Sequence, residues 1–272
     1  MENILFFFAN LPVYTYGFMI ALGLLLGTIL AQQEGKRKGF GAEFIYNFII
    51  QVALVFILVG RLASVTQVLG WRLFISPWNI FTSAHLDETR GILAVGVYIV
   101  YFIVRHVKQP AVFLDALVPS VALMQSLAYL GSSVLGSETT SFLGVKLGDF
   151  MLHPLPLYSG LAYYTIFSIL WISRRNLRYD GQILMSYLAL SALARRLLMP
   201  FQEVFGESTN PWLYAFATLL FGFIWFYLLV ESPLTDSRRR RNWTNWRFWI
   251  LYFISLVGVG AVMVKFFYWR FS

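Results

Sequence analysis

The sequence contains no cysteine and few charged residues. Without thiols there are no disulfide bonds, no thiolate metal ligands, no cysteine nucleophile and no lipid attached through a cysteine. Charged residues make up 12% of the 272 positions, whereas soluble domains carry roughly 25%. A chain this poor in charge is typical of a membrane protein, and we expect it to hold neither a metal nor a cofactor.

Apolar and aromatic residues are abundant, at 58% of the chain. They form runs of about 20 residues separated by short basic stretches, which is the pattern of membrane-spanning segments. Backbone amides inside a bilayer must pair within their own segment, so these non-alternating runs predict helices rather than barrel strands. We predict an all-α integral membrane protein with eight helices, favoured over seven, at residues 12–32, 44–69, 91–108, 112–136, 155–173, 182–199, 211–230 and 247–268.

The net charge of +8 comes largely from basic residues clustered between the apolar runs. Charge arranged in this way sets the orientation of a membrane protein, so we expect no nucleic-acid partner. The basic loops are predicted to be cytoplasmic, which places the N-terminus outside and, with eight helices, the C-terminus outside as well. These loops span residues 33–43, 104–111, 174–180 and 231–247.

Among the arginines inside predicted helices, Arg61 lies deep in the second helix and Arg195 lies, next to Arg196, towards the outer end of the sixth. An arginine at mid-membrane costs at least about 2.5 kcal/mol on insertion scales, so it needs a partner, a cavity or a charged ligand. One hypothesis is that both face a shared cavity and hold a lipid phosphate, which suits the paired donors of a guanidinium. The alternative is snorkelling or a structural ion pair, for example with Glu203.

The fifth predicted helix begins with residues 153–158, in which His153 and Pro154 precede Tyr158. Proline is tolerated in a first helical turn because its missing N–H has no helical partner there. A helix start with an interfacial tyrosine is sufficient to explain the segment. A proton-carrying role for His153 is the other hypothesis, and the sequence assigns it no partner.

Four short motifs occur in the same order as in one known family. They are Tyr16-Gly17 within residues 11–17, Val59-Gly60-Arg61-Leu62, His153-Pro154 followed by Leu157-Tyr158, and Gly181 with Arg195 further along the same helix. With them the chain resembles the prolipoprotein diacylglyceryl transferases, bacterial inner-membrane enzymes that move diacylglycerol from phosphatidylglycerol to a lipoprotein cysteine.

The resemblance implies a seven-helix bundle of that family over residues 1–235. Residues 236–272 would add a basic cytoplasmic loop and an extra transmembrane helix. The resemblance also implies that the protein lies in the bacterial inner membrane and binds a membrane phospholipid. The residues that would contact the lipid headgroup are Tyr16, Arg61, His153, Tyr158 and Arg195.

The chain departs from the family at the positions that carry the chemistry. The His-Gly-Gly of helix 3 corresponds to residues 90–92, Arg-Gly-Ile, and the arginine and asparagine of helix 4 are absent from residues 125–133. The glutamine and glutamate of helix 5 are Pro156 and Ser159, and the glutamate of helix 6 is Met199. The transfer needs a base and cations, and losing one transition-state donor commonly slows a reaction about 100- to 1,000-fold. We therefore predict a catalytically degenerate member and assign no catalytic residue.

The leading hypothesis is an accessory or structural subunit of a membrane complex, or a phospholipid-binding protein. The first alternative is an active phosphatidylglycerol–prolipoprotein diacylglyceryl transferase with a rearranged site. The second is a transporter, against which the sequence shows neither an inverted repeat nor paired broken helices.

Overall fold

The computed structural model describes residues 4–8, 11–69, 87–174, 177–202, 211–232 and 246–271. This part of the chain holds eight α-helices that are long and apolar enough to cross a membrane, which confirms the prediction of an all-α integral membrane protein. The helices are α1 (Thr15–Arg37), α2 (Ala42–Leu69), α3 (Glu88–His106), α4 (Pro110–Gly131), α5 (Leu155–Ser173), α6 (Gln182–Leu198), α7 (Pro211–Glu231) and α8 (Trp246–Phe271).

Two small antiparallel hairpins accompany the helices, and the sequence did not predict them. Strands β1 (Ile4–Phe8) and β2 (Leu11–Tyr14) pair directly before α1, so the helix begins at Thr15 rather than at residue 12. Strands β3 (Val145–Leu147) and β4 (Phe150–Leu152) pair around Gly148, which has a φ of +63°. Short apolar runs do not distinguish a strand from a helix by periodicity alone, which explains the error at residue 12.

Helix α4 ends at Gly131, five residues before its predicted end. A Cβ on Gly131 would lie 2.7 Å from the Cβ of Met19, so only glycine allows α1 to pack this closely. The guanidinium of Arg270, from α8, donates to the carbonyls of Leu130, Gly131 and Ser132 at 3.1, 2.7 and 2.6 Å. A cation that bonds the last carbonyls is favourable for a helix C-terminus, so α8 caps α4.

The chain divides into two compact units, which are described separately. The large unit comprises Met1–Ala31 and Leu114–Ser272, and the small unit comprises Gln32–Phe113. The core of the large unit is built from α4, α5 and α6, through the buried side chains of Val118, Ala122, Tyr163, Ile166, Leu170, Ile183 and Ala194.

Helix α8 packs against other elements of the large unit. Its Met263 and Phe267 are buried in one cluster with Leu130, Val145 and Leu157. The eighth helix therefore contributes core side chains as well as the cap on α4. The predicted boundary between a 1–235 domain and a 236–272 extension stays a prediction, because residues 233–245 lie outside the described part of the chain.

The small unit is held together by phenylalanines. Phe113 is fully buried and makes edge-to-face contacts with Phe40, Phe44 and Phe48 at centroid distances of 5.1–5.8 Å. Such aromatic pairs contribute about 0.5–1.5 kcal/mol each beyond the area they bury. These contacts join the loop before α2, the start of α2 and the start of α4.

Candidate functional site

A buried carboxylate fixes the start of α6. Asp115 on α4 is fully buried, and its two oxygens accept the backbone N–H groups of Gly181 and Leu184 at 2.8 and 2.9 Å. Gly181 has a φ of +94°, which glycine adopts without strain. Burial, together with the nearby Asp115 carboxylate, raises the pKa of Tyr179 to about 12. Because a negative charge at a helix N-terminus is stabilising, Asp115 sets the position from which α6 extends towards Arg195.

Arg195 lies about 21 Å along α6 from Gly181, at 1.5 Å per residue. Its Nε donates to the hydroxyl of Tyr163 at 3.4 Å, and its guanidinium also hydrogen-bonds Tyr214. Tyr129 stacks on Tyr163 with ring centroids 5.1 Å apart. We call Tyr129, Tyr163 and Tyr214 the tyrosine cage, and they come from α4, α5 and α7.

The charge of Arg195 is not neutralised by any carboxylate among the described residues. Its partners are neutral phenols, and the residue keeps exposed surface. The expected alternative partner Glu203 lies outside the described residues. A guanidinium held by hydroxyl groups retains its full positive charge, and this arrangement favours the binding of an anion.

His153 and Tyr158 meet at one aromatic cluster, whose third member is Phe201. The His153 ring lies 5.0 Å from the Phe201 ring and 6.1 Å from the Tyr158 ring. Tyr158 also contacts Phe201 edge-to-face at 5.5 Å. Among the described residues, no hydrogen-bond partner reaches the buried Nδ1 of His153.

Backbone contacts hold this cluster near the end of α6. The N–H of Ser137 donates to the Phe201 carbonyl at 3.0 Å, and the N–H of Gly136 donates to the His153 carbonyl at 2.9 Å. A Cβ on Gly136 would lie 2.1 Å from the Phe201 oxygen, so the loop after α4 packs here only as glycine. Phe201 lies in the short 3₁₀ helix Met199–Phe201 that directly follows α6, which brings His153 and Tyr158 to the same end of α6 as Arg195.

The other two predicted headgroup residues, Tyr16 and Arg61, lie on α1 and α2. Tyr16 is an exposed residue in the first turn of α1, and its Cα lies 3.1 Å from where a Cβ on Gly131 would be. Arg61 is half-buried on α2 and belongs to the small unit, whereas Tyr16 and Arg195 belong to the large unit. The shared cavity of Arg61 and Arg195 stays a prediction.

Arg90, which stands where the family's histidine was expected, joins α3 to α2. Asp87 caps α3 by accepting the Arg90 backbone N–H at 3.0 Å, and it pairs with the Arg90 guanidinium at 3.5 Å. That guanidinium also donates to the Ala63 carbonyl at 3.5 Å. These contacts give Arg90 a structural role at the start of α3.

The sequence model of the prolipoprotein diacylglyceryl transferase family matches residues 3–204. The chain belongs to this family. It is 25% identical over 206 residues to the phosphatidylglycerol–prolipoprotein diacylglyceryl transferase of Clostridioides difficile, which covers 72% of this chain and 81% of the relative. The enzyme of the same name from Campylobacter hominis is 26% identical over 267 residues, covering 89% of this chain and 95% of the relative.

The matched segment contains all five predicted headgroup residues of this transferase-family chain. It ends before α7 and α8, which supply Tyr214 to the tyrosine cage and Arg270 to the end of α4. The predicted family resemblance is confirmed, together with the coarser functional prediction of a multi-pass membrane protein of the diacylglyceryl transferase family.

Sequence reasoning missed the tyrosine cage and Phe201. A signal for the cage was present, because Tyr129 and Tyr163 are phenols inside predicted membrane-spanning helices. A buried tyrosine hydroxyl usually finds a hydrogen-bond partner, and Arg195 is the cation on a neighbouring helix. Phe201 gave no signal, because its role depends on backbone contacts with residues 136 and 137.

Proposed function

We propose that this member of the diacylglyceryl transferase family binds an anionic phospholipid headgroup and has lost the transfer reaction. The observation that carries the proposal is the environment of Arg195, whose described partners are the neutral hydroxyls of Tyr163 and Tyr214. The phosphate diester of the headgroup would accept from the guanidinium, and the phenols would donate to its other oxygens.

Loss of chemistry is supported by the same residues. A thiol acceptor needs a base within hydrogen-bonding reach, and such a base is usually oriented by a third group. Phenols are protonated at neutral pH and are poor bases. His153 lies at the same end of α6 as Arg195, and its buried Nδ1 has no orienting partner among the described residues.

A chain that keeps the scaffold and the lipid site without a base is suited to an accessory role. We propose that it serves in the bacterial inner membrane as a subunit of a larger membrane complex, with the basic loops in the cytoplasm. The exposed aromatic side chains of α7, such as Trp212, Phe216 and Phe223, could pack against a partner subunit. They do not distinguish a partner from lipid, because lipid would cover the same side chains.

An active transferase is the second candidate. It is favoured by family membership and by the two similar proteins, whose names describe phosphatidylglycerol–prolipoprotein diacylglyceryl transferases. On this view Arg195 would stabilise the departing glycerol phosphate, and another group would act as the base. Thioether formation on a prolipoprotein peptide distinguishes the two candidates.

Replacing Arg195 with glutamine is expected to weaken binding of phosphatidylglycerol about tenfold or more, since hydrogen bonds to charged groups contribute about 1.5–3 kcal/mol. Arg196→Gln is the matched control, because it removes the same charge from the adjacent residue of α6, which is exposed. Native mass spectrometry of the purified chain with added lipid measures both affinities. Equal binding by wild type and Arg195→Gln would contradict the proposed headgroup site.

A further inference from the structure

A cation-lined cavity lies in the small unit. It has a volume of about 510 Å³ and is formed by the α1–α2 connection and the α3–α4 connection. Sites for small ligands commonly have volumes of about 300–1,000 Å³. We call it the basic cavity and define it by Lys38, Phe40, Phe44, His106 and Lys108.

The lining combines positive charge with aromatic surface. Lys38, His106 and Lys108 face the cavity with Phe40 and Phe44, and none of the nine described lining residues is acidic. The nearby buried carboxylate of Glu34 is not part of the lining, and it pairs with Arg37. The lining therefore combines cations with an apolar surface. This combination suits an amphipathic anion better than an inorganic one.

Helix dipoles do not decide the charge of this cavity. The backbone N–H groups of Ile45 and Phe113 bond to Gly41 and Gln109, so two helices begin at its edge. The helices α1 and α3 also end at this edge, and their carbonyl ends oppose the positive ends of α2 and α4. The two lysines thus provide the net attraction for an anion.

The position of the cavity indicates the ligand. All four helices that border it begin or end there, so it lies at the level of a membrane surface. Basic pockets between transmembrane helices on the cytoplasmic side bind lipid phosphate groups, and these two loops are among those that the sequence predicts to be cytoplasmic. We infer that the basic cavity binds the phosphate headgroup of an anionic phospholipid from the cytoplasmic leaflet, with its glycerol and first acyl carbons on Phe40 and Phe44.

The test uses the full chain in nanodiscs of phosphatidylcholine with increasing fractions of phosphatidylglycerol. Hydrogen exchange of the backbone amides at 37–41 and 106–109 reports occupancy of the basic cavity. Hydrogen exchange in both segments is expected to slow as the phosphatidylglycerol fraction rises, compared with nanodiscs of phosphatidylcholine alone. This readout lies in the small unit, so it is independent of whether lipid binds at Arg195.

Replacing both Lys38 and Lys108 with glutamine is expected to raise the phosphatidylglycerol fraction needed for half-protection about tenfold, on the charge dependence of lipid attraction. The matched control replaces Lys36 and Arg105, which lie in the last turns of α1 and α3, are exposed and do not line the cavity. Lys108→Gln alone gives a smaller shift if the double variant is unstable. Equal shifts in the double variant and the control, or the same protection from inorganic phosphate in phosphatidylcholine nanodiscs, would overturn the inference.

Discussion

At the scale of single residues, Asp115 shows how a charge can be kept inside a membrane protein. Its carboxylate is fully buried, yet both oxygens accept backbone N–H groups at the start of α6. Such charge-assisted bonds are shorter and stronger than neutral ones. The carboxylate of Asp115 thus caps the N-terminus of α6. The direction of α6, which carries Arg195, depends on this cap.

Asp115→Asn is expected to destabilise the protein by about 2–3 kcal/mol, because a buried donor loses its acceptor and the remaining bond loses its charge. Thermal unfolding in detergent, followed by circular dichroism, measures the change. Asp180→Asn is the control, since it removes the same charge from an exposed residue just before α6. An unfolding temperature equal to that of the control would show that the cap is dispensable.

At the scale of elements, α8 is tied to the large unit by both apolar and polar contacts. Met263 and Phe267 are buried, and the Arg270 guanidinium bonds three carbonyls at the end of α4. The ring of Phe271 lies 4.6 Å from the same guanidinium, within the range of a cation–π contact. The extra helix therefore stabilises the end of α4, beside Tyr16 and the loop that leads to His153.

Arg270→Gln is expected to lower stability by about 1–2 kcal/mol, through the loss of charge-assisted bonds at the C-terminus of α4. Lys265→Gln is the matched control, because Lys265 is an exposed cation on the same helix. Denaturant or thermal titration compares the two variants, and hydrogen exchange at residues 128–132 reports local fraying. Equal hydrogen exchange at the end of α4 in both variants would show that Arg270 does not cap this helix.

Helix existence was predictable from the sequence because hydrophobic length is a strong and local signal. The bounds of α5 at residues 155–173 agree with the prediction, since Pro154 and the basic residues after 173 mark its ends. The end of α4 was not predictable, because Gly131 and Arg270 are far apart in the chain. Arg195 was identified by its charge in an apolar run, whereas its hydroxyl partners come from two other helices and could be identified only from the tertiary structure.

At the scale of the whole molecule, each compact unit contains a cationic site that we propose binds phosphate. In the large unit it is Arg195 with the tyrosine cage, and in the small unit it is the basic cavity with Lys38 and Lys108. Our proposal of lipid binding without transfer rests on the first of these sites, and the inferred second lipid site rests on the other.

The native chain, purified from its own membrane in mild detergent, is expected to co-purify with a stable protein partner and to lack transferase activity. Activity is measured as thioether formation on a prolipoprotein peptide supplied with phosphatidylglycerol, with an active family enzyme as the positive control. Thioether product that disappears in Arg195→Gln would establish an active transferase instead. A monomer without any partner would contradict the accessory role.

The contact between Arg270 and Gly131 also constrains biogenesis. The two residues are 139 positions apart, and ribosomes add about 5–20 residues per second. The end of α4 thus waits roughly 7–28 seconds for its cap during synthesis. Until α8 has been synthesised, the carbonyls of Leu130, Gly131 and Ser132 lack the guanidinium that caps them in the folded protein.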